Sequence, residues 1–406
     1  YHIGQILWNR NDNEDALRYF ERLMERYPRA PQADRAQFAM ADIYESQDKN
    51  DDAAALYATL PKKFPRSQLR DHSIWRLAWL HYRARQWQAA SKTFGSLTGR
   101  QGNYKTAAAF WQARTAEKSG DHDMAIRLYR KIIADARDDS YYYGLAVQAL
   151  HDRGIEIAEP AREIEIDNTE SDPPVSSETA FHLVRARALG QLNLHDLAVR
   201  ELEEIRRRSH PDEGLRLLLI KEFAKNEAYA NSVRIANQLP PSAAGRDTYR
   251  FPLAHWNAVQ EKSRAEGLDP YLIIALIRQE SLFDTRARSS AAALGLMQLL
   301  PSTARRVARE IGIKISSNAA LFDPELNITL GIQYLKDLLQ RYSNNRFKAI
   351  AAYNAGEAAV DRWNETIAAN DSEEFVEQIP YRETRQYVKL VIRNHLIYKQ
   401  LYDQQK

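Results

Sequence analysis

A short segment recurs along the first two hundred residues, and this repeat constrains the fold more than any other feature of the sequence. Each copy carries an alanine at the same place, and these alanines are Ala16, Ala53, Ala89, Ala125 and Ala198. Their spacings are 37, 36, 36 and then 73 residues, the last being about two periods. A fixed period in this range is typical of helix pairs that stack into a solenoid, because each pair buries its apolar face against its neighbours.

The residue types within the repeat fit that packing. Four of the alanines are followed within five residues by an aromatic side chain, namely Phe20, Tyr57, Phe94 and Tyr129. The small alanine lets two helices approach closely, while the aromatic ring fills the next groove. Pro28 and Pro65 end equivalent helices because proline cannot continue a helix. The period slightly exceeds that of the tetratricopeptide repeat, so we expect a tetratricopeptide-like helical superhelix.

The composition excludes several classes of site. The 406 residues include no cysteine, which excludes disulfides, thiolate catalysis and cysteine-ligated zinc. The ten histidines are scattered and form no His-Glu-x-x-His pair, so we expect no metal and no cofactor. A formal net charge of +3 without a basic stripe argues against nucleic acid as a partner. No run of about 18 or more apolar residues occurs, so we expect no integral membrane segment.

Two breaks divide the chain into three predicted domains. Residues 154–178 are acidic and contain Pro173 and Pro174, and residues 239–245 are rich in proline and small residues. Such stretches are typical of loops and connectors. The repeat is no longer visible after the second break. The predicted domains are a helical-repeat superhelical domain at 1–177, a helical linker domain at 178–247 and a C-terminal domain of different character at 248–406.

One glutamate lies on the apolar face of a predicted helix. Asp269 and Pro270 form a favourable helix start, with an N-cap acceptor followed by proline in the first turn. Leu272, Leu276 and Glu280 then follow at four-residue spacing, so the carboxyl group projects from the apolar stripe near the helix end. Burial among apolar groups raises the pKa of a carboxyl group toward neutrality, as a general acid requires. Taken alone, such a glutamate is more often a hydrogen-bonded structural residue.

Four short motifs include this glutamate or follow it. They are Glu280-Ser281, Gly295-Leu296-Met297-Gln298, Ala352-Tyr353-Asn354-Ala355-Gly356 and the segment PYRETRQYV at 380–388. In this order and at these separations they resemble the soluble lytic transglycosylase family, whose catalytic domain is similar to goose-type lysozyme. Each motif is weak by itself, but the four together are specific. The resemblance covers about residues 250–400, and the segment SYYYG at 140–144 extends it more loosely to the repeats.

The resemblance implies a mostly α-helical protein with a lysozyme-like (goose-type) catalytic domain at 248–406, and it implies that Glu280 is the catalytic acid/base. It also implies a set of substrate-binding residues along a glycan cleft, namely Ser289, Met297, Gln298, Tyr353, Asn354 and Glu383. The sequence departs from the family pattern at Ala292, where glycine is common. Because glycine alone is free at positive φ, we expect this change to affect the loop backbone and the fit of the substrate, and to leave the chemistry intact.

Other roles stay open for several of these residues. Tyr353 and Asn354 are also compatible with merely closing a helix before the following glycine. Glu383 lies in the predicted first turn of a helix, where the helix dipole alone favours a carboxylate. Met297 is equally compatible with a place in the core. Asp284 is the nearest other acid to the catalytic candidate, and we interpret it as a turn residue rather than a second catalytic carboxylate.

The reaction implied by the resemblance is non-hydrolytic cleavage of the β-1,4 bond between N-acetylmuramic acid and N-acetylglucosamine in peptidoglycan, which leaves a 1,6-anhydro sugar. The Tyr353 hydroxyl is expected to reach Glu280 or the scissile oxygen. The alternatives are a hydrolytic muramidase and a catalytically silent cell-wall-binding scaffold. The expected partners are peptidoglycan glycan strands and, through the helical repeats, other cell-wall enzymes. The family implies the periplasm.

Overall fold

The structure is a computed structural model that describes residues 1–99, 102–135, 140–157, 172–209, 211–243, 245–367, 369 and 371–403. The chain divides into two compact units, Tyr1–Ala158 and Glu159–Lys406. Across the described residues the regular structure is helical, apart from isolated antiparallel bridges at Leu294. The predicted mostly α-helical fold is therefore confirmed. None of the helices in these ranges is long and apolar enough to cross a membrane.

The first unit is a series of helices in which each packs against the next. In chain order they are α1 (His2–Asn9), α2 (Asn13–Arg26), α3 (Ala33–Ser46), α4 (Asn50–Lys63), α5 (Arg70–Arg83), α6 (Trp87–Thr98), α7 (Lys105–Lys118), α8 (His122–Asp135) and α9 (Tyr141–His151). Helices α2 and α4 end directly before Tyr27-Pro28 and Phe64-Pro65, as the prolines predict.

The turn that joins the two helices of a pair has the same backbone conformation in four successive repeats. The second residue beyond the end of α1, α3, α5 and α7 has a positive φ in each case. These residues are Asn11, Asp48, Arg85 and Gly120. The next residue donates its N–H to the carbonyl group five positions back. This left-handed turn satisfies carbonyl groups that the helix end leaves free. The repeat in sequence is therefore also a repeat in backbone geometry.

The alanine and the aromatic residue of each repeat meet in the core. Ala16, Ala53 and Ala125 are fully buried, and each is followed four residues later by a fully buried aromatic ring. In the third repeat the fully buried alanine is Ala90, and Ala89 is only partly buried. The assignment of Ala89 to this position was therefore wrong by one residue. The correct register restores the four-residue spacing, which places the alanine and the ring on one helix face.

The second unit begins with helices that enclose an apolar cluster of their own. They are α10 (Ser177–Gln191), α11 (His195–Arg208), α12 (Glu213–Lys225) and α13 (Tyr229–Ala236). Leu202, Leu219 and Phe223 are fully buried at the centre of this cluster. The helical patterning expected after residue 178 is thus present, and part of the preceding acidic connector lies outside the described residues.

The remaining helices of the second unit carry the candidate site. They are α14 (Arg246–Arg250), α15 (Trp256–Ala265), α16 (Pro270–Ser281), α17 (Pro301–Glu310), a 3-10 helix (Asn318–Phe322), α18 (Pro324–Arg341), α19 (Arg346–Ala355), α20 (Glu357–Thr366), α21 (Ser372–Gln378) and α22 (Arg382–Tyr402). Helix α16 packs against α22, and α19 packs against both α18 and α22. The division of this unit at residue 247 stays a prediction.

Candidate active site

Helix α16 begins and ends as its sequence predicts. The Asp269 carboxylate accepts a hydrogen bond from the Tyr271 N–H at 2.8 Å, and Pro270 occupies the first turn. At the other end, Leu282 and Phe283 both have left-handed φ values, of 52° and 67°. Two consecutive non-glycine residues in this conformation cannot continue a helix, so α16 stops directly after Glu280 and its neighbouring serine.

Glu280 lies on the last turn of α16, at the end of a fully buried row of leucine and isoleucine side chains. Its carboxylate accepts a hydrogen bond from the Tyr387 hydroxyl of α22. Burial raises the pKa of Glu280 to about 7, and the hydrogen bond from Tyr387 opposes the rise. Within the described residues no lysine, arginine or histidine pairs with this carboxylate. A partly protonated carboxyl group at neutral pH can both donate and accept a proton.

Two further polar contacts hold α16 against α22. The Asp269 carboxylate lies 2.7 Å from the ring of His395. Near the other end of α16, the buried Arg278 guanidinium donates to the Asn394 side chain at 3.4 Å. Together with the bond between Glu280 and Tyr387, these contacts fix the register in which the two helices meet.

Ser289 closes a tight turn in the loop that we call the 284–299 loop, after its residues. Its hydroxyl oxygen accepts a hydrogen bond from the Ala293 N–H at 3.0 Å, and its carbonyl accepts one from the Ala292 N–H at 3.0 Å. Ser289 is partly exposed. Asp284 forms a turn of its own at the start of the loop, where its carboxylate accepts from the Arg286 N–H at 2.9 Å. The interpretation of Asp284 as a turn residue is thereby confirmed.

Ala292 has a φ of 64°, the left-handed conformation that the glycine common at this position would adopt freely. The alanine therefore keeps the turn and carries the steric cost of it, on the order of 1 kcal/mol. Gln298 also has a positive φ, of 48°. Its amide nitrogen donates to the carbonyl groups of Gly295, at 2.8 Å, and Ala287, at 3.2 Å. The Gln298 side chain thus ties the two ends of the loop together.

Met297 is held by helix α18. Its side chain is fully buried and lies against Gly331, where an added Cβ would come within 2.2 Å of the sulfur. Its N–H donates to the Asn327 side-chain oxygen at 2.7 Å. The Asn327 amide nitrogen in turn donates to the carbonyls of Leu294, at 3.0 Å, and Leu321, at 2.8 Å. Asn327 and Gly331 therefore set the position of the loop.

Tyr353 lies in the last turn of α19, which ends at the left-handed Gly356. Its hydroxyl donates to the Met297 carbonyl at 2.8 Å. Burial raises the pKa of Tyr353 well above its usual value, and the negative charge of Glu280 adds to that rise. The two side chains are therefore close, although the hydroxyl that bonds to Glu280 belongs to Tyr387.

Asn354 lies in the last turn of α19 and Glu383 in the first turn of α22, where these two helices contact each other. The Asn354 side-chain oxygen accepts a hydrogen bond from the Thr384 hydroxyl at 2.7 Å, which joins α19 to the first turn of α22. Asn354 and Glu383 are both exposed. Glu383 also lies in that first turn, as predicted, and Tyr387 follows one turn later on the inner side.

Two groups that sequence reasoning missed are thus central to the geometry. Tyr387 is within a quoted motif but was given no role, although its four-residue spacing from Glu383 was a usable signal. Asn327 and Gly331 carry a weaker signal, an asparagine and a glycine within an otherwise apolar helix. The structure joins Met297 to Tyr353 and bonds Asn354 to the first turn of α22, which contains Glu383. Among the described residues, no three histidine, aspartate or glutamate side chains are grouped as a metal site requires.

Three family models match segments of the chain. The transglycosylase SLT domain matches residues 257–376, and the soluble lytic transglycosylase helical domain matches residues 378–406. The tetratricopeptide repeat matches residues 1–67 and 76–141. These matches confirm both the resemblance carried by the motifs and the tetratricopeptide-like nature of the repeats. The helical-domain match lies at the C-terminal helix and not at the repeat segment that extended the resemblance.

Individual relatives agree with these matches. The soluble lytic murein transglycosylase of Escherichia coli K12 is 38% identical over 152 residues, which are 37% of this chain and 24% of that protein. A putative soluble lytic murein transglycosylase of Haemophilus influenzae is 32% identical over 212 residues, or 50% of this chain and 36% of that protein. This chain thus matches only about a quarter to a third of the length of these relatives.

Solved structures match over most of the chain. The 70 kDa soluble lytic transglycosylase of Escherichia coli is similar with a TM-score of 0.72 and 25% identity, over 96% of this chain and 60% of that one. An inactive mutant of the lytic transglycosylase Slt from Pseudomonas aeruginosa is similar with a TM-score of 0.69 and 26% identity, over 96% of this chain and 61% of that one. The lysozyme-like fold expected for the C-terminal region is thereby confirmed.

Proposed function

We propose that this protein is a lytic transglycosylase that cleaves the β-1,4 bond between N-acetylmuramic acid and N-acetylglucosamine in peptidoglycan. The observation that carries the proposal is the environment of Glu280. This carboxyl group is set in an apolar wall, has a pKa of about 7 and accepts a hydrogen bond from Tyr387. The match of the surrounding residues to the transglycosylase SLT domain supports the same activity.

In the proposed reaction Glu280 acts twice. Its carboxyl proton first passes to the glycosidic oxygen, and the bond from that oxygen to the muramoyl C1 breaks with both electrons left on the oxygen. The C6 hydroxyl oxygen of the same sugar then bonds to C1, and its proton returns to the Glu280 carboxylate. Water is neither consumed nor released, and the enzyme ends in its starting protonation state. A single residue with a pKa near neutrality is sufficient for both steps.

The settings of Asp284 and Glu383, the two other candidate acids of the family-like region, favour this route over hydrolysis. Glycosidases that deliver water use two carboxyl groups roughly 5 to 10 Å apart, one on either side of the bond. Asp284 accepts a hydrogen bond within its own turn, and Glu383 is exposed on the first turn of α22. The C6 hydroxyl is held beside C1 by the sugar ring itself, which is worth several kcal/mol, on the order of 7, over free water.

The proposed substrate-binding residues follow from the site geometry. Ser289 and Gln298 present polar groups of the 284–299 loop, while Asn354 at the end of α19 and Glu383 at the start of α22 present exposed polar groups. Tyr353 supports the loop near Glu280. For Met297 we propose a role through its backbone, since its carbonyl accepts the Tyr353 hydroxyl while its side chain is fully buried.

The remaining expectations extend this proposal to the whole chain. We propose that the repeats position long glycan strands and dock other cell-wall enzymes, and that the protein acts in the periplasm. The division into domains at 1–177, 178–247 and 248–406 belongs to the same proposal. No cofactor is included in it.

The chemical identity of the product tests the proposal. Purified sacculi are digested in isotopically heavy water, and the released muropeptides are analysed by mass spectrometry. We expect 1,6-anhydro-N-acetylmuramic acid ends that are one water lighter than reducing ends and carry no heavy oxygen. Reducing ends that contain heavy oxygen would instead identify a hydrolytic muramidase. Release of no fragments, with retained binding to sacculi, would identify a silent scaffold.

A further inference from the structure

One face of α18 carries a row of contacts to the candidate active site. Asn327, Gly331 and Tyr334 are separated by four and then three residues, so they share a face of the helix. The first two contact the 284–299 loop through the backbone and side chain of Met297. Tyr334 continues the row, and its ring lies 5.1 Å from the ring of Tyr353, at an angle of 44°. The same helix face therefore supports both the 284–299 loop and the ring of Tyr353.

Tyr334 is itself held from two other helices. Its ring is 7% exposed, and the Arg306 guanidinium of α17 lies 5.5 Å from the ring centre. Burial raises the pKa of the Tyr334 hydroxyl, and the negative charge of the Glu357 carboxylate at the start of α20 adds to that rise. Arg306 lies 3.8 Å from the same carboxylate. The ring is thus fixed on several sides, and little room is left for it to move.

Glu357 is tied to the same helix by its backbone. The hydroxyl of Tyr342, the residue directly after α18, donates to the Glu357 carbonyl at 3.2 Å and to the Asp361 carboxylate at 3.1 Å. Arg341 pairs with Asp361 at 2.6 Å. Helix α18 therefore holds the start of α20, which directly follows the motif that contains Tyr353. Both the ring contact and these bonds constrain the last turn of α19.

We infer that Tyr334 is a positioning residue for the proton transfer at Glu280, acting by packing the Tyr353 ring against the glutamate pocket. The inference rests on the proposed function and adds a residue that touches neither the substrate nor the reacting atoms. Tyr353 and Tyr387 are the titratable groups that face Glu280, from α19 and α22. Loss of the Tyr334 ring leaves a void behind Tyr353, and Tyr353 can then move into it and let water reach Glu280.

The test measures the titration of Glu280 directly, in the full chain. Glutamate side chains are labelled with carbon-13, and the Glu280 signal is assigned by its absence in Glu280→Gln. We expect Tyr334→Leu to lower the pKa of Glu280 by about one unit, because hydration favours the ionised form. Tyr334→Phe keeps the ring and should change the pKa of Glu280 by less than about a third of a unit. Tyr387→Phe is the control of opposite sign, since it removes a hydrogen bond to the carboxylate and should raise the pKa of Glu280.

Turnover provides the second readout. Tyr334→Leu should lower kcat by about tenfold or more while KM stays within about twofold, because an interaction with the proton-transfer step is lost and not one with the bound glycan. The alkaline limb of the pH profile should shift to lower pH together with the pKa of Glu280. Circular dichroism and thermal unfolding establish that the variant is folded, and Tyr334→Met, which also removes the ring, replaces it as the test if it is not.

The outcomes separate this inference from the function on which it rests. An unchanged Glu280 titration in folded Tyr334→Leu, whatever its activity, overturns the positioning role. If Tyr334→Leu does not fold, Tyr334→Met, which also removes the ring, takes its place: a lowered pKa of Glu280 supports the positioning role, and an unchanged one overturns it. If the wild-type chain releases no anhydro product, the proposed function fails, whereas the titration still decides whether Tyr334 positions the pocket.

Discussion

Each of the two compact units contains a glutamate whose carboxylate is largely removed from water, and the two carboxylates differ in whether cations pair with them. In the first unit the Glu45 carboxylate is 8% exposed and is paired with Arg76 at 2.6 Å and Arg83 at 2.5 Å. The Tyr57 hydroxyl donates to it as well, at 3.2 Å. In the second unit Glu280 has the Tyr387 hydroxyl and, within the described residues, no cation. Two arginines therefore balance the charge of Glu45, and no such cation in the described part of the chain balances the charge of Glu280.

The compensated arrangement occurs again two repeats later. Glu117 accepts a hydrogen bond from the Tyr129 hydroxyl at 3.0 Å, and it is paired with Arg114, at 2.8 Å, and with Arg153. In both places two guanidinium groups balance the negative charge of the carboxylate. The difference teaches which glutamate can carry chemistry. It is the glutamate whose burial is left without a cation, and burial raises the pKa of that carboxyl group into the working range.

The largest expected effect is on catalysis. Replacing Glu280 by glutamine keeps the shape of the side chain and removes the transferable proton, so cleavage of sacculi should fall by at least about 100-fold. Product release measured by chromatography checks this, with the exposed Glu261→Gln of α15 as the matched control. Retention of more than about a tenth of wild-type activity would contradict the assignment of Glu280.

The same substitution should change how stability depends on pH. The folded-state pKa of Glu280 is about 7, above its ordinary value of 4.5. The glutamate therefore contributes most to stability below about pH 4.5, and that contribution is lost as pH rises toward 7. Relative to Glu280→Gln, the wild-type chain should lose on the order of 3 kcal/mol between pH 4.5 and 8. Unfolding in urea at several pH values measures this, and parallel pH curves for the two proteins would refute it.

A smaller effect is expected in the first unit. Glu45→Gln leaves Arg76 and Arg83 without their anion and should destabilise the repeats by about 2 kcal/mol, and Glu117→Gln should act similarly. The exposed pair of Glu14 and Arg18 provides the control, since Glu14→Gln should cost less than about 0.5 kcal/mol. Denaturant unfolding gives the comparison. Equal effects at the buried and exposed positions would mean that the arginines do not offset the burial of these carboxylates.

The smallest effect concerns backbone strain in the 284–299 loop. Ala292→Gly should stabilise the protein by up to about 1 kcal/mol, because the left-handed φ of 64° no longer carries a steric cost. Ala291→Gly is the matched control in the same loop, and it should leave stability unchanged or lower it. Thermal unfolding distinguishes the two. A loss of stability in Ala292→Gly would show that the alanine methyl group makes a contact that outweighs the strain.

The comparison also separates what the sequence could predict from what it could not. The alanine spacing predicted the helix pairs, and the four-residue spacing up to Glu280 predicted the carboxyl group in the apolar wall. Both patterns are local, because helix periodicity alone decides which face a side chain occupies. The hydrogen bond to Glu280 comes from Tyr387, 107 residues further along the chain. Only the packing of α16 against α22 brings those two residues together.

The wrong prediction of Ala89 as the core alanine of the third repeat has a related cause. Gln86-Trp87-Gln88 precedes two consecutive alanines, and the spacing of the repeat predicted the first of them, Ala89, as the buried one. Packing selects the second, Ala90, which lies four residues before Phe94 on the same helix face. The hydrogen bonds by which Asn327 holds the 284–299 loop could not be predicted from the sequence, for another reason. A single buried asparagine is compatible with many roles until its three partners are known.

The three hydrogen bonds of Asn327 have a consequence for how this region can be recombined. The residues of the 284–299 loop supply the Met297 N–H and the Leu294 carbonyl, but the asparagine that pairs with them is on α18. A crossover placed between the loop and α18 would transplant the donors and acceptors without their partner. The smallest segment that can be exchanged between related enzymes with its geometry intact therefore runs from residue 284 to the third turn of α18.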